Sequence, residues 1–339
     1  MDKPGYNFID ATFAFFQAIG RRPGAVFWIA LWHLILYAAL TAAILALVIP
    51  VFTVVVSAAG QGREPDPAEL LRALSGFIGA YLLAMLGFLL AALMVQGAWL
   101  RLLARDEVAR IIPVRFGADE LRLLVVNAAF IAFNLLGWGA VFLLFAVLNA
   151  GLFAAVSSGG EPSAGAVIGA GLINVLLGLA VGVAALILML RFAAAPALSI
   201  RLKALKLFDS FAATKGVAAW MFLSYVVLVG VYLIGATVMA VIQQIIVLIA
   251  AADLVPTLAA LENTEDPEVV LQVLGQALLQ PGVLIAFGLV IVLQMVLQIV
   301  FEGSWHGVGA YVARREAGDY PSDAVETPSA SVGERPGEG

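Results

Sequence analysis

Four polar side chains recur at four-residue steps in the last long apolar segment of the chain: Gln294, Gln298, Glu302 and His306. Four residues are slightly more than one helical turn, so the four side chains lie along one face of a helix. Glu302 and His306 are close enough to share a hydrogen bond or a proton. The pattern predicts a ligand-binding face or a proton relay. The alternative is an interfacial pair beside Trp305 that only anchors the helix end.

The segment that carries this stripe is one of six long apolar runs. The chain is 63% hydrophobic and 12% charged, whereas water-soluble domains are about 25% charged. About 20 apolar residues cross a bilayer. The sequence therefore predicts an all-α, polytopic membrane bundle of six helices in three hairpins. The six spans are residues 25–57, 72–100, 123–156, 165–198, 217–251 and 283–315.

Three regions are expected along the chain. Residues 1–24 have apolar side chains at helical spacing and predict an interfacial amphipathic helix. Residues 25–315 form the six-helix domain, and residues 316–339 are rich in Pro, Ser, Gly and acid, which predicts a disordered cytoplasmic tail. Residues 101–122 predict a second surface helix that is broken at Pro113, and a basic surface segment follows the fourth span.

The fourth span is also predicted to be the most closely packed, because Gly165, Gly169, Gly178 and Gly182 form two small-xxx-small pairs.

The distribution of positive charge predicts the orientation. If the N-terminus, residues 101–122, residues 191–215 and the tail share one side, that side holds 16 of the 18 Lys and Arg residues. Only Arg63 and Arg72 lie opposite. The positive-inside bias then places both termini in the cytoplasm of a multi-pass protein. The same alternation is compatible with a threefold repeat of one hairpin and with any even-numbered bundle that has basic inside loops.

The basic segments form a candidate collar for lipid headgroups. Each cation near an anionic leaflet contributes about 1 kcal/mol of attraction. Trp99 is expected at the interface and the arginines after it in water, although topology alone also produces this pattern. The collar residues are Arg101, Arg105, Arg110, Arg115, Arg201, Lys203 and Lys206.

Several other polar side chains lie inside the predicted spans. Gln243, Gln244 and Asn134 are candidate partners that face the stripe on the last helix. His33, beside Trp32, is interpreted as an ordinary interfacial histidine. The alternative for each of these residues is an interhelical hydrogen bond of about 0.6–2 kcal/mol. The remaining polar residues of this kind are Thr41, Gln96, Asn127, Asn149 and Asn174.

The composition excludes several kinds of chemistry. The chain has no cysteine and two histidines, which excludes disulfides and thiolate metal sites and argues against a multi-histidine metal site. Neither a nucleophile elbow, a zinc-protease motif nor a phosphate-binding loop occurs, so no enzymatic activity is expected. We expect no cofactor, no metal and no nucleic-acid partner.

The segment from Pro196 to Trp220 resembles a loose group of bacterial six-helix inner-membrane proteins. In that group a proline ends one span, and a serine, a Lys–Gly pair and a tryptophan lead into the next. The group includes the membrane domain attached to some glycerophosphoryl diester phosphodiesterases. The matching positions are Pro196, Ser210, Lys215, Gly216 and Trp220. The resemblance implies the fold and a bacterial inner membrane. The chain lacks the soluble phosphodiesterase domain, so no catalytic residue is carried over.

The sequence thus favours a non-enzymatic inner-membrane protein that binds or moves a lipid or small amphiphile through the polar stripe. The alternative is a scaffold whose basic segments and tail recruit a protein partner, with a homo-oligomer also open. A proton-coupled transporter is a weaker interpretation, because the deeper polar groups are amides rather than acids.

Overall fold

The computed structural model describes residues 5–60, 66–158, 163–252, 254–259 and 280–319, together with 269, 270, 273 and 277. These residues form helices and turns, with no strand among them. Six helices are long and apolar enough to cross a membrane. The predicted all-α bundle with six spans is confirmed, and the protein is a multi-pass membrane protein.

Twelve helices occur in the described ranges. They are α1 (Phe8–Thr12), α2 (Ala14–Arg21), α3 (Pro23–Gly60), α4 (Pro67–Arg105), α5 (Ala118–Leu148), α6 (Ala150–Ser157), α7 (Ala164–Phe192), α8 (Ala195–Arg201), α9 (Asp209–Ala213), α10 (Ala218–Ala252), α11 (Val255–Ala259) and α12 (Pro281–Glu316).

Local sequence explains where the long helices begin and end. The carboxylate of Asp66 accepts from the backbone N–H of Ala68 at 3.0 Å and caps the start of α4, with Pro67 in the first turn. Ser163 caps α7 in the same way. At its other end α4 stops at Asp106, which has a φ of 60° and so leaves the helical path.

The six spans do not pack equally. α3 packs along α4, α10 packs along α12, and α12 also contacts α4, whereas α5 and α7 contact each other much less. The sequence predicts that the fourth span, residues 165–198, is the most closely packed through its glycines, and for α7, which carries them, this is wrong; only its last residues, in α8, pack closely against α4, α5 and α12. Its four glycines have open space where a Cβ would be, because α7 is flanked only lightly by α5 and α10.

The glycines of α12 make the close contacts instead. A Cβ at Gly303 would overlap the ring of Phe15 in α2, and one at Gly307 would lie 3.2 Å from the backbone nitrogen of Phe15. A Cβ at Gly309 would lie 3.0 Å from the carbonyl oxygen of Ala193. Two segments, α2 and the turn before α8, therefore pack directly against the backbone of α12.

These contacts define the basic end of the bundle, which is built from α1, α2, residues 101–123, α8, α9 and the last turns of α12. The N-terminal segment is two short helices packed onto this end rather than one continuous helix. Phe15 is buried, and Thr12 donates from its hydroxyl to Ser224 of α10 at 2.9 Å. The exposed face keeps Ile9, Phe13 and Phe16, so the predicted amphipathic character is present.

The predicted surface helix over residues 101–122 is wrong. α4 continues to Arg105, residues 106–117 are irregular, and α5 begins at Ala118. The irregular backbone folds back far enough for the Pro113 carbonyl to accept from Arg101 at 3.0 Å. A proline lacks the N–H that a helix interior needs, which favours this non-helical course.

The hydrophobic core is concentrated at the basic end. Trp99, Leu198, Ile200 and Val308 are all essentially inaccessible. The apolar side chains along the middle and opposite end are largely exposed, as expected where a membrane rather than protein covers them. The predicted tail lies outside the described residues from 320 onward. Most of residues 253–268, a loop with five acidic side chains that the sequence predicts between the last two spans, also lies outside them.

Candidate functional site

Gln294 and Gln298 of the α12 stripe line a groove between α3, α4, α10 and α12. The groove has a volume of about 470 Å³. Tyr37 and Thr41 of α3 line it from the other side, and Gln243 of α10 completes its polar lining. The groove is therefore a recess with a mostly apolar lining and several polar side chains, bounded by four helices, in the membrane-crossing part of the molecule.

The two glutamines lie at membrane depth. α12 has 36 residues, so Gln298, halfway along it, is about 27 Å from either end. A hydrocarbon core is about 30 Å thick, which places the middle of α12 within it. Both side chains are exposed in the groove. Amides in hydrocarbon are costly unless their donors and acceptors find partners.

The hydrogen bonds of these amides leave some of their donor and acceptor groups without a partner among the described residues. Gln298 donates from Nε2 to Glu302 Oε1 at 2.9 Å. Gln243 Nε2 lies 3.4 Å from Gln294 Oε1, which is a weak hydrogen bond. Each amide offers two donor hydrogens and an acceptor oxygen. Among the described contacts, the Nε2 donors of Gln294 and the oxygen of Gln298 have no protein partner.

Next along the stripe, Glu302 lies against the first span. Its Oε2 is 3.7 Å from Nε2 of His33, which is only 2% exposed. Trp99 of α4 donates from Nε1 to Nδ1 of His33 at 3.4 Å. Because Nδ1 accepts, a neutral His33 carries its proton on Nε2, the nitrogen that faces Glu302. A polar line thus joins α4, α3 and α12 through Trp99, His33, Glu302 and Gln298.

The expected pair of Glu302 with His306 is not formed in the part of the chain that the structure describes. Glu302 has its polar contacts with Gln298 and His33. Each four-residue step rotates the direction by about 40° around the helix axis. His306 lines a separate cavity with Gln96 and Asn127, and it shares only a shallow pocket with Glu302.

Of the three predicted facing partners, the structure brings one to the stripe. Gln243 lines the groove, whereas its neighbour Gln244 is exposed and is not among the groove-lining residues. Asn134, on α5, lines the cleft between α5 and α7, and its side-chain amide donates to the carbonyl of Phe130 at 2.8 Å. The prediction that Gln244 and Asn134 face the stripe is therefore wrong.

His33 is the residue that sequence reasoning misplaced. It is buried at the head of the groove, not an ordinary interfacial histidine. A signal was present, because His33, Tyr37 and Thr41 are also spaced by four residues. That second stripe on α3 runs antiparallel to the one on α12. A pair of matching polar stripes on two spans indicates that the two helices share one polar space.

The first two collar arginines lie in a buried ion-pair network rather than in water. Arg101 is 4% exposed and forms an ion pair with Glu120, which is 1% exposed. Arg105 pairs with Asp119 and donates to the carbonyl of Ile200 at 3.2 Å. The network therefore fixes the end of α4 to the start of α5 and to α8. Trp99, expected at the interface, is fully buried.

The other collar residues lie on the outside of the basic end. Arg110, Arg115 and Lys203 are exposed. Arg201 pairs with Asp319, and Lys206 pairs with Asp209 at 3.0 Å. These five side chains remain accessible to solvent or lipid headgroups, and two of them also form ion pairs with acidic residues.

The segment behind the resemblance forms the turn from α7 into α10. Ser210 donates from its hydroxyl to the carbonyl oxygen of Arg191 at 2.5 Å. Gly216 has a φ of 79°, a conformation that favours glycine. Pro196 lies in the first turn of α8, where its missing N–H costs nothing. Local structure therefore explains the residue type at three of the five matched positions, while the other two, Lys215 and Trp220, are exposed.

Within the described residues, no three His, Asp or Glu side chains come together as a metal site would need. Comparison of the chain with protein-family models, with curated proteins and with solved structures gave no match.

Proposed function

We propose that the protein is a non-enzymatic membrane protein that binds, and thereby holds or moves, a lipid or small amphiphile in the groove between α3, α4, α10 and α12. The observation that carries the proposal is the exposure of Gln294 and Gln298 halfway along a membrane helix. Unsatisfied amide groups cost free energy in hydrocarbon, and a ligand with a hydrogen-bonding head would satisfy them.

The surroundings of the groove support a ligand of amphiphilic character. Phe88, Val290 and Met295 supply apolar walls, while Tyr37, Thr41 and the three glutamines supply donors and acceptors. Ligand sites commonly combine a mostly apolar lining with a few convergent polar groups. The groove is a partly open recess in the membrane-crossing part of the bundle, so we expect a membrane lipid to enter it from the bilayer.

The localisation that we propose is a bacterial inner membrane with both termini in the cytoplasm. Two observations support it: the resemblance of residues 196–220 to bacterial inner-membrane proteins, and the gathering of the basic segments at one end of the bundle.

The test is native mass spectrometry of the full-length protein released from nanodiscs of bacterial lipid extract. The variant Gln294→Leu/Gln298→Leu removes the polar lining, and Gln244→Leu is the matched control, because Gln244 is an exposed glutamine beside the groove residue Gln243. We expect wild type and Gln244→Leu to retain a lipid that the double variant loses. Leucine suits a lipid-facing position, so folding is preserved. An identical set of retained lipids in all three proteins would contradict the proposal.

A second candidate function is a scaffold that recruits a partner at the basic end. It is favoured by the irregular segment 106–117, where Ile111 is 78% exposed and Phe116 is half exposed beside Arg110 and Arg115. Apolar side chains between arginines are typical of protein interfaces. In the same experiment, a lipid-free mass together with an oligomer or a co-purifying protein would favour this function. Deletion of residues 316–339 would then abolish recruitment.

A further inference from the structure

A second cavity lies nearer the basic end than the groove. It has a volume of about 240 Å³ and is enclosed by α4, α5, α7, α8, α10 and α12. Its walls are mostly apolar, and its polar side chains include Gln96, Asn127 and His306. Asn127 donates from Nδ2 to Gln96 Oε1 at 2.8 Å. The pair orients both amides at the cavity wall and leaves the Gln96 amino group and the Asn127 oxygen available.

This cavity adjoins a cleft between α5 and α7. The cleft has a volume of about 370 Å³ and shares Phe130, Met189 and Phe192 with the cavity. Together the two volumes fall in the range of about 300–1,000 Å³ that is usual for ligand sites. A polar pocket and an apolar cleft between α5 and α7 therefore adjoin, with three side chains in common.

The dimensions fit one extended hydrocarbon chain. From Asn127 to Val141, which lines the far part of the cleft, α5 rises about 21 Å. One leaflet contributes about 15 Å of the hydrocarbon core, so a chain from that leaflet fits lengthwise. α5 and α7 still contact each other, which leaves room between them for a single chain rather than two.

The polar pocket indicates an uncharged head. Among the described residues that line the cavity and the cleft there is no Lys, Arg, Asp or Glu. The nearby Arg101 is already paired with Glu120. A phosphate or carboxylate in this pocket would lose its water without gaining a cation, which is strongly unfavourable. Hydroxyl or amide groups, in contrast, match the donors and acceptors of Gln96, Asn127 and His306.

We propose that the α5–α7 cleft is a second lipid site, which binds one hydrocarbon chain and seats an uncharged hydroxyl- or amide-bearing head against Gln96, Asn127 and His306. Monoacylglycerols are ligands of this class. The site shares no residue with the groove between α3, α4, α10 and α12, so it stands whether or not that groove binds an amphiphile.

Two glycines of α5 provide a matched pair of variants. Gly137 lines the cleft, whereas Gly139 lines neither the cleft nor the cavity, and a Cβ at either position meets open space. Leucine at position 137 fills the cleft, and leucine at position 139 points elsewhere. Both substitutions improve helix propensity equally, so a difference between them reports on the cleft alone.

The experiment titrates the full-length protein in detergent with monopalmitoylglycerol and, separately, with palmitoyl lysophosphatidylglycerol, and measures the bound fraction by native mass spectrometry. We expect monopalmitoylglycerol to bind wild type and Gly139→Leu within about twofold, and Gly137→Leu about tenfold more weakly. Gln96→Leu/Asn127→Leu should weaken the same binding. Equal binding by Gly137→Leu and Gly139→Leu, or tighter binding of the charged lysolipid that Gly137→Leu also weakens, would overturn the proposal.

A measurement on the wild-type protein does not depend on the folding of any variant. Monopalmitoylglycerol with a photoreactive diazirine in its chain should crosslink to residues such as Trp138, Val181 and Ala185, which line the cleft. Crosslinks confined to the groove residues near Gln298 would overturn the proposal. Gln294→Leu/Gln298→Leu should leave the crosslinks in the cleft unchanged, which separates failure of this site from failure of the groove.

Discussion

At the scale of single residues, the most consequential contact is the ion pair between Arg101 and Glu120. Both side chains are almost fully buried. Glu120 reaches this position because Gly97, one turn before Arg101, has no side chain; a Cβ there would collide with the Glu120 carboxylate. The Pro113 carbonyl accepts a further hydrogen bond from Arg101. A charge in such a place is tolerated only while its partners remain.

Breaking this pair should destabilise the protein much more than breaking an exposed pair. Glu120→Ala leaves the buried Arg101 with Asp119, at 3.8 Å, as its remaining counter-charge, and we expect a loss of about 3 kcal/mol in the free energy of unfolding. Glu107→Ala is the control, because Glu107 pairs with Arg105 but is 51% exposed; it should cost below about 1 kcal/mol. Denaturant unfolding in detergent measures both.

Removing both charges together supplies a further check. Arg101→Met/Glu120→Leu leaves no unpaired charge, so much of the stability lost in Glu120→Ala should return. If Glu120→Ala and Glu107→Ala were equally stable, the buried network would not support the end of α4.

At the scale of elements, α12 is the helix on which the others are assembled. It contacts α1, α2, α4, α8 and α10. Its apolar first half is widely exposed, while its last turns are buried. Gly303 and Gly307 allow α2 to approach, and Gly309 allows the turn before α8 to approach. The same helix therefore joins the basic end to the groove.

A side chain at Gly303 should detach α2 from this helix. The Phe15 ring occupies the space that Gly303→Leu would fill, so we expect overpacking that costs about 1–3 kcal/mol. Faster backbone hydrogen exchange should appear in residues 8–21. Gly288→Leu, on the same helix but with open space around its Cβ, is the control and should leave exchange unchanged. Equal exchange in the two variants would show that α2 does not depend on the Gly303 contact.

The sequence patterns predict where the helices lie in the chain better than they predict which helices contact each other. Hydropathy and length give the six spans because each span satisfies its own backbone hydrogen bonds in the membrane, whatever its neighbours are. The burial of Arg101, in contrast, depends on the fold of residues 106–117 and on a carboxylate 19 residues farther along the chain. The glycines of α7 and α12 look alike in the sequence, and only the position of α2 and α8 decides which set is packed.

The same limit applies to the candidate site. The stripe on α12 was visible because one helix carries it, and Gln294, Gln298 and Glu302 do lie beside other polar groups. The direction of Gln244 and Asn134 could not be predicted, because a small rotation of α5 or α10 exchanges a lipid-facing side for an inward-facing one. His33 was recoverable in principle from its spacing with Tyr37 and Thr41.

At the scale of the whole molecule, charge is divided between the two ends of the bundle. Arg22 pairs with Asp106 at 2.7 Å, and Arg201 pairs with Asp319. The segments that the sequence predicts on one side of the membrane thus contact each other directly. In the part of the chain that the structure describes, Arg72 is the one basic residue near the opposite end. This division of charge supports the proposal that the basic end lies in the cytoplasm.

Single cysteines should report this orientation without background labelling, because the chain contains no cysteine. Glu69→Cys lies at the exposed start of α4, and Lys215→Cys lies at the exposed basic end before α10. In intact bacterial cells, a maleimide that cannot cross the inner membrane should label Glu69→Cys and not Lys215→Cys. Permeabilised cells should allow both to be labelled, which controls for the reactivity of each thiol.

The reverse labelling pattern would place the basic end outside and would change what each proposed site can reach. With the basic end in the cytoplasm, the Gln96–Asn127 pocket opens near the inner leaflet, so an uncharged lipid would enter the α5–α7 cleft from that leaflet. Gln294 lies about 12 Å farther from the basic end than Glu302, so the groove extends toward the outer leaflet. The labelling result therefore decides which leaflet supplies each site.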